Sequence, residues 1–339
     1  MALSPIHGTR LRTLIAKAES VNGTAETPLA ADFDTRIFNL EFSPYEIGMD
    51  DEGAKDANGT HAETLFIAGE TIGSISFACR MNYGASAAAF GKWSKFAKAC
   101  GMGEKAWTTA GISLLPRTQY DTESLTMWII DTELGGGSPV STIYKFKGCV
   151  GNMVVGCDGI GKPWMAKFAF KGCCYDVFDG SALALTAPDA THPEIYLTNA
   201  LTINSIAKYV SKWSMDCGND VQPLYDQSDA TGVGCFCITA RKPRFTCDPL
   251  SVKQATEDVF DIVTAETPYT IYVKAPATSS HLTVKVMSAQ LIPPKLAARE
   301  GFVSTERTYR ALANGVAGAL IDSDLTVEDT WELMNGARA

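Results

Sequence analysis

One layout of elements is written twice in this chain, once on each side of about residue 195, and it limits the possible folds more than any other feature. Each half gives an alternating strand, an amphipathic helix of about fifteen residues, and then further alternating strands. In the first half a strand over residues 71–83 leads to a helix over 86–100, then to strands around Ile112, Trp128, Tyr144 and Phe168. In the second, a strand over 232–241 leads to a helix over 251–265, then to strands around Ile271 and Val284. The residues of the two halves do not match closely, so the repeat is one of architecture. It predicts a mainly β chain built from two tandem units, each with a flanking α-helix.

With 339 residues and 46% apolar content, the chain can bury one large core or two ordinary ones, and a typical domain of roughly 100–200 residues favours two. We place the first domain, with an N-terminal arm, over 1–185, the second over 186–312, and a C-terminal extension over 313–339. Turn residues break the alternation between them, in GSALALTAPDATH over 180–192. The net charge of −9 argues against ordinary nucleic-acid binding, which needs a basic face to displace counterions. No apolar run approaches the roughly 20 residues of a membrane span, and MALSPIHGTRLRTLIAK lacks the apolar core of a signal peptide. The expectation is folding in a cytoplasm, away from membranes.

Ten cysteines would suggest a disulfide set in a small secreted domain, but a long chain without an export signal points to reduced thiols packed as small apolar residues. Zinc sites favour CxxC or HxxxH spacings. The sequence offers an adjacent Cys173 and Cys174, a CxC at Cys235 and Cys237, and isolated His7, His61, His192 and His281. Cys235 and Cys237 would share one face of a strand, yet no second pair follows. There is no GxSxG, no HExxH and no P-loop, and the glycine cluster at Gly135–Gly137 leads into Ser138 and Pro139, which reads as a loop. These patterns predict neither an enzyme nor a cofactor or metal site.

Strand faces are legible. Trp164, Ala166, Phe168 and Phe170 share one face, while Met165, Lys167, Ala169 and Lys171 share the other, so one side should be core and the other wet. Tyr144 and Phe146 oppose Lys145 and Lys147, and 156–161 carries the turn chemistry to make a hairpin. Leu282, Val284 and Val286 alternate with Thr283, Lys285 and Met287 in the same manner. In the first helix, Phe90, Trp93, Ala97 and Cys100 form the apolar stripe, with Lys92, Lys95 and Lys98 away from it and Gly101 as a stop. In the second, Val252, Ala255, Val259, Ile262 and Val263 form the stripe, Ser251 is the expected N-cap, and Glu257, Asp258 and Asp261 lie outside. The two charged faces are either simply solvated or meet between neighbouring subunits.

Several segments, in order, carry a resemblance. Residues 10–41, RLRTLIAKAESVNGTAETPLAADFDTRIFNLE, give a basic Leu-rich arm, a Gly-Thr turn and a Pro-x-Ala-Ala-Asp stretch before the first strand. Residues 70–83 give the strand ahead of the helix, and FAKACGMG over 96–103 gives the helix end. Tyr144, Lys145, Phe146, Gly148 and Gly151, then Gly161, Lys162 and Pro163, then Phe168, Phe170 and Gly172 form a hairpin signature. Arg241, Lys242 and Pro243, then Asp248 and Pro249, precede the second helix. Together these resemble the tail tube (major tail) proteins of long-tailed, siphovirus-like bacteriophages. The chain departs from that pattern at Val150, Gly151 and Asn152, where the family often has Ala-Arg-Gly, in its many cysteines, and in its C-terminal extension.

The resemblance implies β-sandwich or β-barrel folds with a flanking helix, stacked as rings around the path of the DNA, without a catalytic site. Two such folds per chain would build a pseudo-sixfold ring from three subunits; hexamers of whole chains are the alternative. Implied partners are further copies of the chain, the tape measure protein and phage DNA in the lumen, and the tail terminator and distal tail proteins at the ends. The implied location is the virion, after assembly in the host cytoplasm. A DNA conduit should repel phosphate, so acids near strand ends, Asp158, Asp176, Asp216 and Asp220, are lumen candidates, each otherwise a solvated turn residue. The polar stretch over 43–63 is either a plain loop or a contact with the next ring, with Tyr45, Glu46, Asp50, Asp51, Glu52, Lys55 and Asp56 as candidates. A distal-tail or connector ring of the same fold is the second reading, and an unrelated β-sandwich binding module or enzyme the third.

Overall fold

The computed structural model describes residues 11–33, 35–49, 68–82, 89–107, 111–117, 123–132, 140–181, 195–196, 200–252, 257–274, 282–299, 302–312 and 330–336. In chain order the elements are β1 (Leu11–Ala18), β2 (Ile37–Met49), β3 (Ala68–Arg80), α1 (Ser94–Ala99), β4 (Met102–Trp107), β5 (Gly111–Pro116), β6 (Leu125–Thr132), β7 (Val140–Cys157) and β8 (Met165–Ser181). There follow β9 (Ala200–Ile203), β10 (Ile206–Ala207), β11 (Trp213–Asp216), β12 (Asn219–Tyr225), β13 (Val233–Arg241), β14 (Arg244–Cys247) and α2 (Val259–Thr264). The chain closes with β15 (Tyr269–Lys274), β16 (Leu282–Leu291), β17 (Lys295–Arg299), β18 (Phe302–Ala311) and β19 (Trp331–Gly336). The fold is mainly β, as the alternation predicts, and among the described residues every strand pair is antiparallel.

One cross-strand row shows how the core is made. Ile37, Cys79, Ala166, Val155, Met215, Phe245, Tyr309 and Leu291 are successive partners across β2, β3, β8, β7, β11, β14, β18 and β16. All but Ile37 are buried, and they join residues from before and after 195 into one hydrophobic cluster. A second row runs Leu201, Val273, Val284, Leu333 and Leu114 across β9, β15, β16, β19 and β5. Strand β16 belongs to both, pairing with β15 and β19 through its first half and with β18 through its second.

The stretch over 313–339 was expected to be an extension, but its end is a core strand. Strand β19 lies between β5 and β16, and Trp331, Glu332, Leu333, Met334 and Asn335 are all buried. Both faces of the sheet are covered there. Thr283, expected to be wet, is therefore buried opposite Met334, and the Glu332 carboxylate accepts a 3.2 Å hydrogen bond from Ser113 Oγ.

Both helices are shorter than expected. Residues 83–88 lie outside the described residues, and α1 begins at Ser94 because Gly91 and the Trp93 indole, which donates to Asn82 O at 2.8 Å, hold an irregular entry. Phe90, Trp93, Ala97 and Cys100 nonetheless bury together, and Gly101, at φ 76°, ends the helix. The expected cap of α2, Ser251, is replaced by Asp258, whose carboxylate accepts from Phe260 N and Asp261 N at 3.0 and 3.1 Å. Val252 is correspondingly exposed, while Ala255 lies outside the described residues.

The hairpin β7–β8 forms with the expected turn and faces. Phe168 and Phe170 pack with Phe77 and Phe96, while Lys167, Ala169 and Lys171 point to the other side. That side is not uniformly wet. The ribbon β12–β13 lays Val221, Val233, Phe236 and Ile238 over Val150 and Cys173, and Lys147 anchors it to Asp229 at 2.5 Å. The hydrogen bond from Lys147 holds the Asp229 carboxyl at about 2, against an ordinary 3.8. A lowered folded-state value stabilises above about pH 4 and loses its effect as pH falls toward about 2. On acid titration the ribbon amides should lose hydrogen-exchange protection before those of β7 and β8. Lys147→Ala should return Asp229 toward 3.8 by NMR; an unshifted titration would contradict this assignment.

Candidate functional site

The segments that carry the resemblance are scattered in sequence and meet in space. Arg241, first residue of the Arg-Lys-Pro step, ends β13 with its guanidinium turned onto the exit of α1. It donates to Gly101 O at 3.0 Å, Arg117 O at 2.5 Å and Asn219 Oδ1 at 3.1 Å. A planar fork with fixed donors suits three separate carbonyl oxygens, which a lysine could not reach together. Asn219 in turn donates from Nδ2 to Cys100 O at 2.7 Å and Gly151 O at 3.0 Å, and its N–H donates to Asn152 Oδ1 at 3.0 Å. Thus the helix end, the departure at Asn152 and the Arg-Lys-Pro step form one polar junction between β4, β7, β12 and β13.

A second junction holds the other resembling segments. Lys95 Nζ donates to Ala16 O at 3.0 Å and Asp32 O at 2.8 Å, tying α1 to β1 and to the Pro-x-Ala-Ala-Asp stretch. Close by in the chain, the buried Glu19 carboxylate accepts from Gly23 N, Thr126 Oγ1 and Gly148 N, each at 2.8 Å, and from Ser124 Oγ at 2.5 Å. Four donors satisfy a charge that burial would otherwise make costly. Gly148 is the signature glycine of β7. Its φ of 63° falls where the β7–β8 register slips, which frees its N–H for Glu19. Gly23, at φ 80°, lies so close to Gly234 that an added Cβ would be 2.0 Å from its carbonyl oxygen. The Asp-Pro step is held similarly: Asp248 accepts from Ser211 N and Lys212 N at 2.9 Å and from Ser211 Oγ.

The lumen candidates do not gather in one place. Asp216 accepts from Asn152 Nδ2 and Gly218 N at 2.8 Å, within the first junction. Its cross-strand row on the outer face reads Lys167, Val154, Asp216, Arg244 and Arg310, more basic than acidic. Asp158 pairs with Lys167 at 3.3 Å. Asp176, nine residues along β8 from Lys167 or about 30 Å of strand, pairs with Lys145 at 2.9 Å. Asp220 is on the ribbon and accepts from Gln222 at 2.8 Å.

Of the inter-ring candidates, Tyr45 and Glu46 belong to β2, which runs to Met49, so the loop expected from 43 begins later. Asp50, Asp51, Glu52, Lys55 and Asp56 lie outside the described residues. Among the helix candidates, Lys92 and Asp261 are exposed, Lys98 pairs with Glu104 at 2.5 Å, and Asp258 is the cap of α2. Glu257, expected on a solvated face, is instead within a largely buried ion triad. Arg307, 1% exposed, grips it with two hydrogen bonds of 2.9 and 3.0 Å, and Lys208 reaches it at 2.8 Å. Burial alone would raise this carboxyl, but the two cations outweigh burial and hold it below the ordinary range.

All ten cysteines are free thiols, and nine are buried. Cys157 and Cys247 line a cleft of about 190 Å³ with Asp158, Lys212, Ser214, Thr246 and Glu306, below the roughly 300 Å³ at which small-molecule sites begin. Burial pushes Cys247 up to about 12 and raises Cys157 as well, which leaves little thiolate at neutral pH. Among the described residues no three His, Cys, Asp or Glu side chains are grouped to hold a metal, and no helix is long and apolar enough to cross a membrane. No family model matches the chain, and no curated protein matches it either.

Proposed function

We propose that this chain is a structural virion protein that stacks as rings to form the tail tube of a long-tailed phage, the conduit for DNA during ejection. The observation that carries the reading is the first polar junction. Three segments distant in sequence meet there through Arg241 and Asn219: the helix end at Gly101, the adjacent Gly151 and Asn152, at which the chain departs from the tail tube pattern, and Arg241 of the Arg-Lys-Pro step. A mainly β fold in which, among the described residues, several strands pair on one side only supports the same reading, because such edges call for closure by neighbours.

In this reading the tape measure protein and then DNA occupy the lumen, the tail terminator and distal tail proteins close the ends, and no reaction is catalysed. Two tandem tube-type units per chain give three subunits per ring with pseudo-sixfold symmetry, since a heterologous contact closes when its rotation does. The lumen wall is net acidic and lets phosphates slide. Native mass spectrometry of isolated rings tests the stoichiometry: three chains per ring are expected, and six would mean that each chain supplies only one unit to the lumen.

A further inference from the structure

The hairpin β17–β18 is apolar in the wrong places for a free surface. Leu296 is 68% exposed, Phe302 66% and Val303 59%. In the hairpin register Leu296 and Val303 fall on one face and Phe302 on the other, so both faces carry exposed apolar side chains. The patch continues into the chain beneath it: Ser251 N donates to Val303 O at 2.9 Å and Leu250 N to Tyr209 O at 3.0 Å, placing the exposed Val252 and Tyr209 beside it. Strand β17 pairs only with β18, so among the described residues its outer edge has no strand partner. A hairpin that exposes apolar side chains on both faces and is open along one edge is built to be covered.

Charge decides what covers it. The sequence of β17, KLAAR, has Lys295 at one end and Arg299 at the other. Antiparallel pairing with the same strand of a second copy would set these like charges opposite each other, which is destabilising. The acceptor must be a different edge, and acidic. Among strands that pair on one side only within the described residues, β1 carries Arg12 and Lys17, β4 carries Lys105, β13 carries Arg241, β10 has two residues, and β12 meets Pro223 after four. Strand β2 holds Glu41 and Glu46 and no basic residue, and its own proline, Pro44, comes only after seven strand residues. It keeps regular pairing with β3 over Glu41, Phe42 and Ser43, with Glu41 exposed and Tyr45 45% exposed alongside.

We infer that β17 of one copy adds to the β2 edge of a second copy over its regularly paired stretch, with Lys295 beside Glu41. The inference rests on the self-assembly reading for its partner and adds the two surfaces. The contact is heterologous, so it propagates from copy to copy and closes a ring or extends a fibre.

The test uses the full chain with a photo-crosslinking benzophenone residue at Leu296, mixed with an isotope-labelled copy. Crosslinks from 296 into residues 37–49 of the other copy are expected. Assemblies that form but crosslink elsewhere would overturn the pairing and leave self-assembly standing; a chain that stays monomeric would overturn both. Independently, Lys295→Glu should raise the concentration needed for assembly by about tenfold, and adding Glu41→Lys should restore it to within about threefold. Assembly of Lys295→Glu at the wild-type concentration would also refute the pairing.

Discussion

Replacing Glu257 by Ala should destabilise the folded chain by about 3–5 kcal/mol, because the change strands two cations that cannot return to water. Arg307 is 1% exposed and Lys208 nearly as buried at its side chain, and Glu257 is the carboxylate both of them reach. The triad also fixes geography: Glu257 precedes the cap of α2, Lys208 follows β10, and Arg307 is in β18. Chemical denaturation of wild type and variant measures the difference. Arg307→Met and Lys208→Met together with Glu257→Leu should recover much of the loss, since apolar replacement of a whole buried ion triad is often close to neutral. A loss below about 1 kcal/mol for Glu257→Ala would show that the triad is solvated and worth no more than a surface pair.

Strand β19 should matter still more. Trp331→Ala empties a site that is 1% exposed and should cost about 3–5 kcal/mol. Ending the chain before Trp331 removes Leu333 and Met334 as well and leaves β5 and β16 without the strand that joins them. That shortened chain should lose its cooperative thermal transition and aggregate through the opened edges. A shortened chain that melts like wild type would mean that β19 is a late addition to an already complete core.

These two features are also where the sequence is hardest to read. The alternation in 162–175 showed both faces of β8 because one face is core and the other is exposed at Lys167, Ala169 and Lys171, where the ribbon does not cover it. The run GISLLP of β5 and the segment WELMNG of β19 are buried on both faces, and there the period-two pattern disappears. An acid at Glu332, at 0% exposure, reads as surface until Ser113 is placed beside it. Glu257 misleads in the same way: its spacing puts it on a polar helix face, but the helix starts after it and Arg307, fifty residues on, draws it inward. The apolar stripe Phe90, Trp93, Ala97 and Cys100 was legible although α1 spans only part of it, because burial follows side chains and not the helix bounds. The role of Arg241 was legible only as a motif. Its three acceptors come from residues far apart in the chain, and no local pattern announces them.

The central claim is that this chain builds a tube, and electron microscopy of the purified full-length protein across a concentration series tests it most directly. The expected result is stacked rings with an open lumen and a constant axial repeat, growing longer as concentration rises. Single closed rings that never stack would assign the chain to a tail end or neck instead, and monodisperse monomers at every concentration would contradict the account.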